Sequence, residues 1–384
     1  MRTTGTPVAY RARAILGASV IADSRAAVRV DHVDSAATLW FPLTDVDPDI
    51  VSKPEGGYWR SGKDELADHV TFDADLVETE FVDGQPDDDP HDVTTKRFPT
   101  WGDASDLIDL LDVESLGDGS YLCGARSDWR RPVVEGSQIL AQAVVAGSRH
   151  GPGRRLVNAS MLFPRAADAR ETYSIALDEI TIGRTFSTLG VRAAQSERIC
   201  GVGTLLFDVT SDDLIKHCDS IPDVVGPYDS VPLDMSVTGR DIRVVGGSYT
   251  GDSSAPVGPP EIDAWVRFRK VDDDPAIHAG LLAQFTGHMS IAAAMRPHAG
   301  IGQDQAHHTL STAVNAISIS IHADVRVDQW LLYHHRSTFA GGGMTHSECR
   351  VHDEDGALVA SFTVDAMVRE FATPPSNTDS RTAL

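Results

Sequence analysis

Cysteine is scarce and unpaired in this chain. Four cysteines, Cys123, Cys200, Cys218 and Cys349, are spread through 384 residues without a CxxC pair. That spacing argues against a disulfide framework and fits reduced thiols in a cytoplasmic protein. Positive charge is also short: 33 lysines and arginines face 56 acidic residues, for a formal net charge of −23. Such a balance disfavours non-specific binding to nucleic acid or to an anionic membrane, though a local arginine cluster can still hold one anionic ligand. The N-terminus, MRTTGTPVAYRARA, lacks the apolar core of a signal peptide, and no apolar run is long enough to cross a bilayer. The expectation is a soluble, cytoplasmic chain. No HExxH, GxSxG, P-loop or dinucleotide fingerprint occurs in its required context, so neither a metal nor a cofactor is expected.

What is present is enough apolar residue, 41%, for real cores, at a length that suggests two or three domains. The most telling stretch is Val133–Arg149, VVEGSQILAQAVVAGSR. Its middle is apolar nearly all round, with Gln138 and Gln142 as its polar residues, and a helix of that kind belongs inside a protein. Ser137 is the expected N-cap and Gly147 the expected terminator. β-rich segments follow at 156–163, 172–180, 185–194 and 198–209. A second unit repeats the order: a strand at 264–269, one helix from Pro275 to Met295, then strands at 309–321, 329–336, 344–352 and 357–369. The two helices share a local echo, ILAQ at 139–142 and LLAQ at 281–284. A duplicated α+β unit results.

Residues 1–84 read as a small all-β domain. They offer strands at 14–21 and 26–33 around an Asp23-Ser24-Arg25 turn, then Thr38–Pro42, a strand entered from Gly56-Gly57-Tyr58-Trp59, and 76–82. The pattern VIADSRAAVRV, LWFPLTDV, ETEFVDG resembles a small bacterial domain family of unknown function. Trp40, Phe41, Tyr58 and Trp59 are the expected core of that sheet. Residues 85–102 are expected as a linker, 103–210 as the first repeat, 211–260 as an inter-repeat linker, 261–370 as the second repeat and 371–384 as a flexible tail.

The segments VVEGSQILAQAVVAG, LVNASMLFPRAAD, GRTFSTLGVRAAQSERICGVGTLLF, DQWLLYHHRST and DGALVASFTVDAMVR resemble type II acyl-CoA thioesterases. The resemblance implies a double hot-dog fold: two helices, each wrapped by half of a continuous antiparallel sheet. It also implies an acyl-CoA or related acyl thioester as substrate, and it is compatible with a homo-oligomer. In that family an Asp, a Thr and a Gln orient the attacking water. Their positions correspond here to Gly287, Val314 and Val364, none of which can exchange a proton through its side chain. His288, Asn315 and Asp365 each lie one residue further on. A one-residue step on a strand turns a side chain to the other face, so Asn315 and Asp365 qualify as catalytic only where a bulge re-aims them. On a helix the step is about 100°, which a long imidazole partly recovers, and His titrates near neutral pH. Gly287, Thr312, Val314 and Val364 are expected to line the acyl site, with Arg130 and Arg131, or Arg126, Arg154 and Arg155, reaching for phosphates.

Three functions therefore stay open. The preferred one is an enzyme, a hydrolase releasing free acid and thiol with a rearranged water-activating site. The second is a non-catalytic acyl-CoA-binding protein, and the third another acyl-thioester reaction of the same fold, such as hydration or dehydration.

Overall fold

The computed structural model describes residues 5–8, 11–30, 38–53, 57–73, 76–83, 94–97, 105–125, 133–151, 153–233, 240–249, 253–268, 271–307 and 309–371. The chain forms two compact units, Met1–Ala104 with Pro232–Arg240, and Ser105–Val231 with Asp241–Leu384.

Among its described residues the first unit is all-β apart from single helical turns. One sheet has the strand order Gly5–Pro7, Val28–Val30, Thr38–Pro42, His69–Phe72 and Trp59–Ser61; the other runs Ser19–Ser24, Arg11–Leu16, Glu78–Asp83 and Thr94–Arg97. Ala12, Ile21, Leu39, Phe41, Trp59, Val70 and Phe72 share one buried core, so Phe41 and Trp59 are core residues as expected. Two expectations are corrected. The first hairpin does not turn at Asp23-Ser24-Arg25. It turns at Gly17, in the left-handed region at φ 64°, a conformation glycine takes without strain. Asp23 instead lies in the returning strand, where Arg11 donates to it at 2.5 and 2.6 Å. The second correction concerns the segment read as a linker, because Thr94–Arg97 pairs with Glu78–Asp83.

The second unit is built on a 13-stranded sheet. The first half runs through Glu114–Gly117, Ser120–Cys123, Tyr173–Ile182, Phe186–Gln195, Arg198–Asp208 and Arg155–Leu162. The second half continues with Leu310–Ile321, Leu358–Glu370, Met344–Asp353, Leu331–Gly341, Glu261–Phe268, Arg240–Val244 and Val231–Pro232. The halves join where Arg155–Leu162 pairs antiparallel with Leu310–Ile321, Asn158 opposite Ser320 and Met161 opposite Ile317. Burial alternates along its long strands, with Leu189, Val191 and Ala193 buried on Phe186–Gln195 and Phe362, Val364 and Ala366 on Leu358–Glu370. That alternation turns an apolar face toward the helices. This is the double hot-dog arrangement, an α+β fold.

The first central helix, Gly136–His150, buries every residue from Ser137 to Gly147. Its ends differ from expectation. Glu135 is the N-cap residue, and the helix passes Gly147 to end at Gly151. Gly147 serves packing instead, since a Cβ there would collide with Leu205. The two glutamines are structural: Gln142 donates to the Leu110 and Gly124 carbonyls at 2.7 and 3.0 Å and accepts from the Tyr173 hydroxyl.

The second central helix is broken. Pro275–Phe285 is capped by Asp274, whose carboxylate accepts from the Ala276 N–H at 2.9 Å. A separate short helix then spans Ser290–Met295, and Met289 between them has φ 65°. The apolar composition of 275–295 is continuous, so periodicity alone gave no signal of the break. The inter-repeat segment is also more than a linker. Ile221, Val224 and Val245 pack on buried Trp265, Trp330 and Leu332, and Trp265 donates to the Val225 carbonyl at 2.9 Å.

Candidate functional site

The two central helices run against each other so closely that neither junction tolerates a larger residue. A Cβ on Gly280 would lie 2.6 Å from Val145 Cγ2. At the other end a Cβ on Gly287 would lie 2.8 Å from Ser137 Cβ and closer still to its hydroxyl. Real Cβ atoms do not approach so closely, so Gly287 places the break of the second helix directly on the head of the first. A carboxylate at position 287 would have to displace Ser137.

The side chains collected at this junction come from both repeats. His288 follows Gly287, with its side chain only 3% exposed, and its Nε2 is 3.8 Å from Glu135 Oε2. Glu135, 18% exposed, is the N-cap residue of the first helix, where backbone N–H groups and the helix dipole favour a negative charge. The Ser137 hydroxyl donates toward the same Glu135 oxygen at 3.5 Å, and the Gln284 amide nitrogen stands 3.4 Å from His288 Nε2. Burial, helped by the Glu135 carboxylate, pushes the Tyr249 phenol up to about 12, so it stays a protonated donor near neutral pH.

Behind His288 runs a stack of buried rings. Phe285 is 5.1 Å from His288 and 4.8 Å from Tyr333, and Tyr333 stacks on His335 at 6.2 Å. His335 Nδ1 is 3.2 Å from Ser290 Oγ. Its Nε2 is buried without a partner among the described residues. Desolvation holds this imidazole far below its usual range, at about 3.

Asn315 sits in a bulge: Val314 pairs with Ala366 and Ala316 with Asp365, leaving Asn315 as the extra residue. Its backbone carbonyl accepts from the Phe163 N–H at 2.8 Å. The Phe163 ring lies where a Cβ on Gly136 would be, 2.7 Å from Cδ2. Asn315 is thereby tied to the head of the first helix, and its Oδ1 is buried without a hydrogen-bond partner among the described residues.

The other expected site residues are dispersed. Val364 is buried toward the helices, and Val314 is half-buried. Thr312 is buried on the same strand as Val314. Asp365, 50% exposed, faces away from the helices and meets His346 Nδ1 at 2.7 Å, so it is not brought to His288. Arg155 pairs with Asp208 at 2.8 Å, and Arg154 donates to the Gly183 carbonyl at 2.7 Å. Arg126, Arg130 and Arg131 lie outside the described residues. The C-terminal histidines are scattered too, His334 on Asp263 at 2.7 Å and His322 on Ser361 at 2.9 Å. No three or more His, Cys, Asp or Glu side chains among the described residues could hold a metal ion.

Glu135 is the residue that sequence reasoning missed. Its signal was an acidic residue immediately before an otherwise apolar helix, which reads as ordinary helix-end chemistry until the partner repeat is seen.

A double hot-dog unit with its candidate site at the head of the first helix defines a class, and comparison with known proteins narrows it. Residues 125–208 match the family model for the acyl-CoA thioesterase N-terminal domain, and residues 218–368 match that for the acyl-CoA thioesterase C-terminal domain. Together these cover more than half of the chain, which belongs to the acyl-CoA thioesterase family. Among curated relatives, mouse acyl-coenzyme A thioesterase 8 is 24% identical over 292 residues, covering 68% of this chain and 88% of that protein. The human protein of the same name is 23% identical over 261 residues, covering 61% and 80%. Among solved structures, the tesB protein of Mycobacterium avium subspecies paratuberculosis superposes with a TM-score of 0.59 at 22% identity, covering 69% of this chain and 99% of that one. Acyl-CoA thioesterase II TesB2 of Mycobacterium marinum does so with a TM-score of 0.59 at 24% identity, covering 68% and 98%. No helix among the described residues is long and apolar enough to cross a membrane.

Proposed function

We propose that this protein hydrolyses an acyl-CoA thioester to the free acid and thiol, with His288 as the general base. One observation carries the reading. The buried imidazole of His288 stands at the break of the second central helix, pressed by Gly287 onto the head of the first. Family membership supports the substrate class. The imidazole takes a proton from water, the hydroxide attacks the thioester carbonyl carbon, and the C–S bond breaks. The proton then passes to the thiolate sulfur, leaving acid and thiol. Asn315 Oδ1, a buried acceptor without a partner among the described residues, supplies a hydrogen-bond acceptor for the attacking water. Val314 and Val364 replace groups able to exchange protons, so the site depends on His288 more heavily than one with several polar residues. All four cysteines are free, in keeping with a cytoplasmic, reducing setting.

The test is thiol release from acyl-CoAs of several chain lengths by the purified protein and its His288→Ala variant. Release by the parent and its loss in the variant are expected. A second reading, acyl-CoA binding without turnover, is favoured by the lack of proton-exchanging groups at Gly287, Val314 and Val364. Saturable acyl-CoA binding with no thiol release at any chain length would establish it instead.

A further inference from the structure

We propose that Glu135, contributed by the first repeat, is the positioning residue for His288 of the second, so that the water-activating unit is a carboxylate–imidazole pair built across the repeat junction. The inference rests on the hydrolytic reading above and extends it by one residue that the chain supplies from its other half.

Four observations carry it. The carboxylate and imidazole are 3.8 Å apart, at Glu135 Oε2 and His288 Nε2. Both are withdrawn from water, the imidazole almost completely, so their mutual attraction is screened far less than that of a surface pair. The Glu135 oxygen facing His288 also has the Ser137 hydroxyl at 3.5 Å, and Ser137 is the residue against which Gly287 packs. The contact that positions His288 and the contact that positions Glu135 therefore share one residue. Finally, position 287 has no room for a carboxylate of its own, whereas Glu135 brings one to the adjoining imidazole from the opposite repeat.

The chemistry follows from charge. When His288 accepts the proton of the attacking water it becomes an imidazolium in a site with little water to stabilise it. Glu135 offsets that charge, then lets the proton go to the departing thiolate sulfur. Glu135 itself is neither protonated nor bonded to substrate in this scheme. The same carboxylate also helps to raise the pKa of the Tyr249 phenol. The next imidazole inward, His335, lies beyond Phe285 and Tyr333 on the ring stack.

The experiment compares the full-length protein with its Glu135→Gln, Glu135→Asp and Glu135→Gln/His288→Ala variants. One readout is kcat/KM for acyl-CoA hydrolysis across pH. The other is NMR titration of the His288 ring, which needs no activity. An opposite charge at this range raises an imidazole's pKa by about 1 unit or more. Glu135→Gln should therefore move both the ring titration and the acid limb of kcat/KM to lower pH by about that amount. It should also cut kcat roughly tenfold or more with little change in KM, and Glu135→Asp should recover part of the loss. The double variant should be no slower than His288→Ala alone, because a positioning residue has nothing left to position. An unchanged His288 titration in folded Glu135→Gln would overturn the proposal whatever the activity. A double variant slower than His288→Ala by the full Glu135→Gln factor would overturn it as well. If the parent releases no thiol from any acyl-CoA, the hydrolytic reading fails and the catalytic role of Glu135 fails with it, even where the titration shows the two groups coupled.

Discussion

The two ends of the central helix pair are built alike and finished differently. At each end a glycine of the second helix meets the first, Gly287 against Ser137 and Gly280 against Val145. Around Gly280 the charged groups neutralise one another near the surface. Arg149 bridges Asp112 and, at 3.6 Å, Asp274, while His150 meets Glu179 at 3.3 Å. Around Gly287 the carboxylate and imidazole are drawn into the protein, 18% and 3% exposed. The duplicated backbone thus supplies two similar close approaches, and side-chain burial sets them apart. Exposed ion pairs contribute little to stability and leave nothing poised to react, whereas a buried, partly compensated pair is where proton transfer is tuned.

The comparison can be broken most sharply at His288. If the Gly287 end is the reactive one, His288→Ala should lower kcat for thioester hydrolysis by about 10²- to 10⁴-fold, the usual range for removing a general base. Steady-state thiol release would show it. The equal closeness of the two ends is tested by Gly287→Asp and Gly280→Ala. Each forces atoms into a filled space and should cost about 1–3 kcal/mol in denaturant unfolding. Gly287→Asp would also separate Ser137 from Glu135, so it should fail to raise activity although it adds a carboxylate.

Each end also hides an imidazole, and these respond to acid. Burial pushes His335 down to about 3 and lowers His278, whose Nδ1 accepts from the Val327 N–H at 3.3 Å. A group whose pKa falls on folding binds fewer protons in the native state, so acid favours unfolding. For His335 the loss should begin below the ordinary value near pH 6.5 and grow toward about pH 3, at up to ~1.4 kcal/mol per pH unit. His334, raised by its hydrogen bond to Asp263, opposes this trend in part. Unfolding curves between about pH 7 and pH 5 should therefore show a shallower decline in His335→Leu than in the parent. The smallest effect belongs to Arg149→Ala at the ion-paired end. It should change stability by less than about 1 kcal/mol and leave thiol release unchanged. A large fall in activity there would mean that both ends serve the reaction.

Much of the fold was legible because apolar periodicity survives translation into burial. The first central helix is buried from Ser137 to Gly147 as its composition demands, and the later strands fall within a few residues of the expected spans. What failed to show was local geometry under tertiary control. Gly147 looks like a terminator, yet it makes room for Leu205. The run from Pro275 to Met295 reads as one helix, yet the left-handed Met289 divides it. At the site, Asn315 was conditional on a bulge, and the strand pairing contains one. Asp365 carried the same condition, but the register shift lies opposite it on the neighbouring strand, and its side chain faces His346.

The order of residues alone determined a duplicated helix-and-sheet chain, because burial of apolar side chains follows a period that sequence displays directly. Only the tertiary structure decided which side chains meet at the head of the first helix. Glu135 and His288 lie in different repeats, and neither side chain specifies the other. They meet because two helix surfaces pack at glycine-to-serine distance, a contact set by the shapes of both helices together.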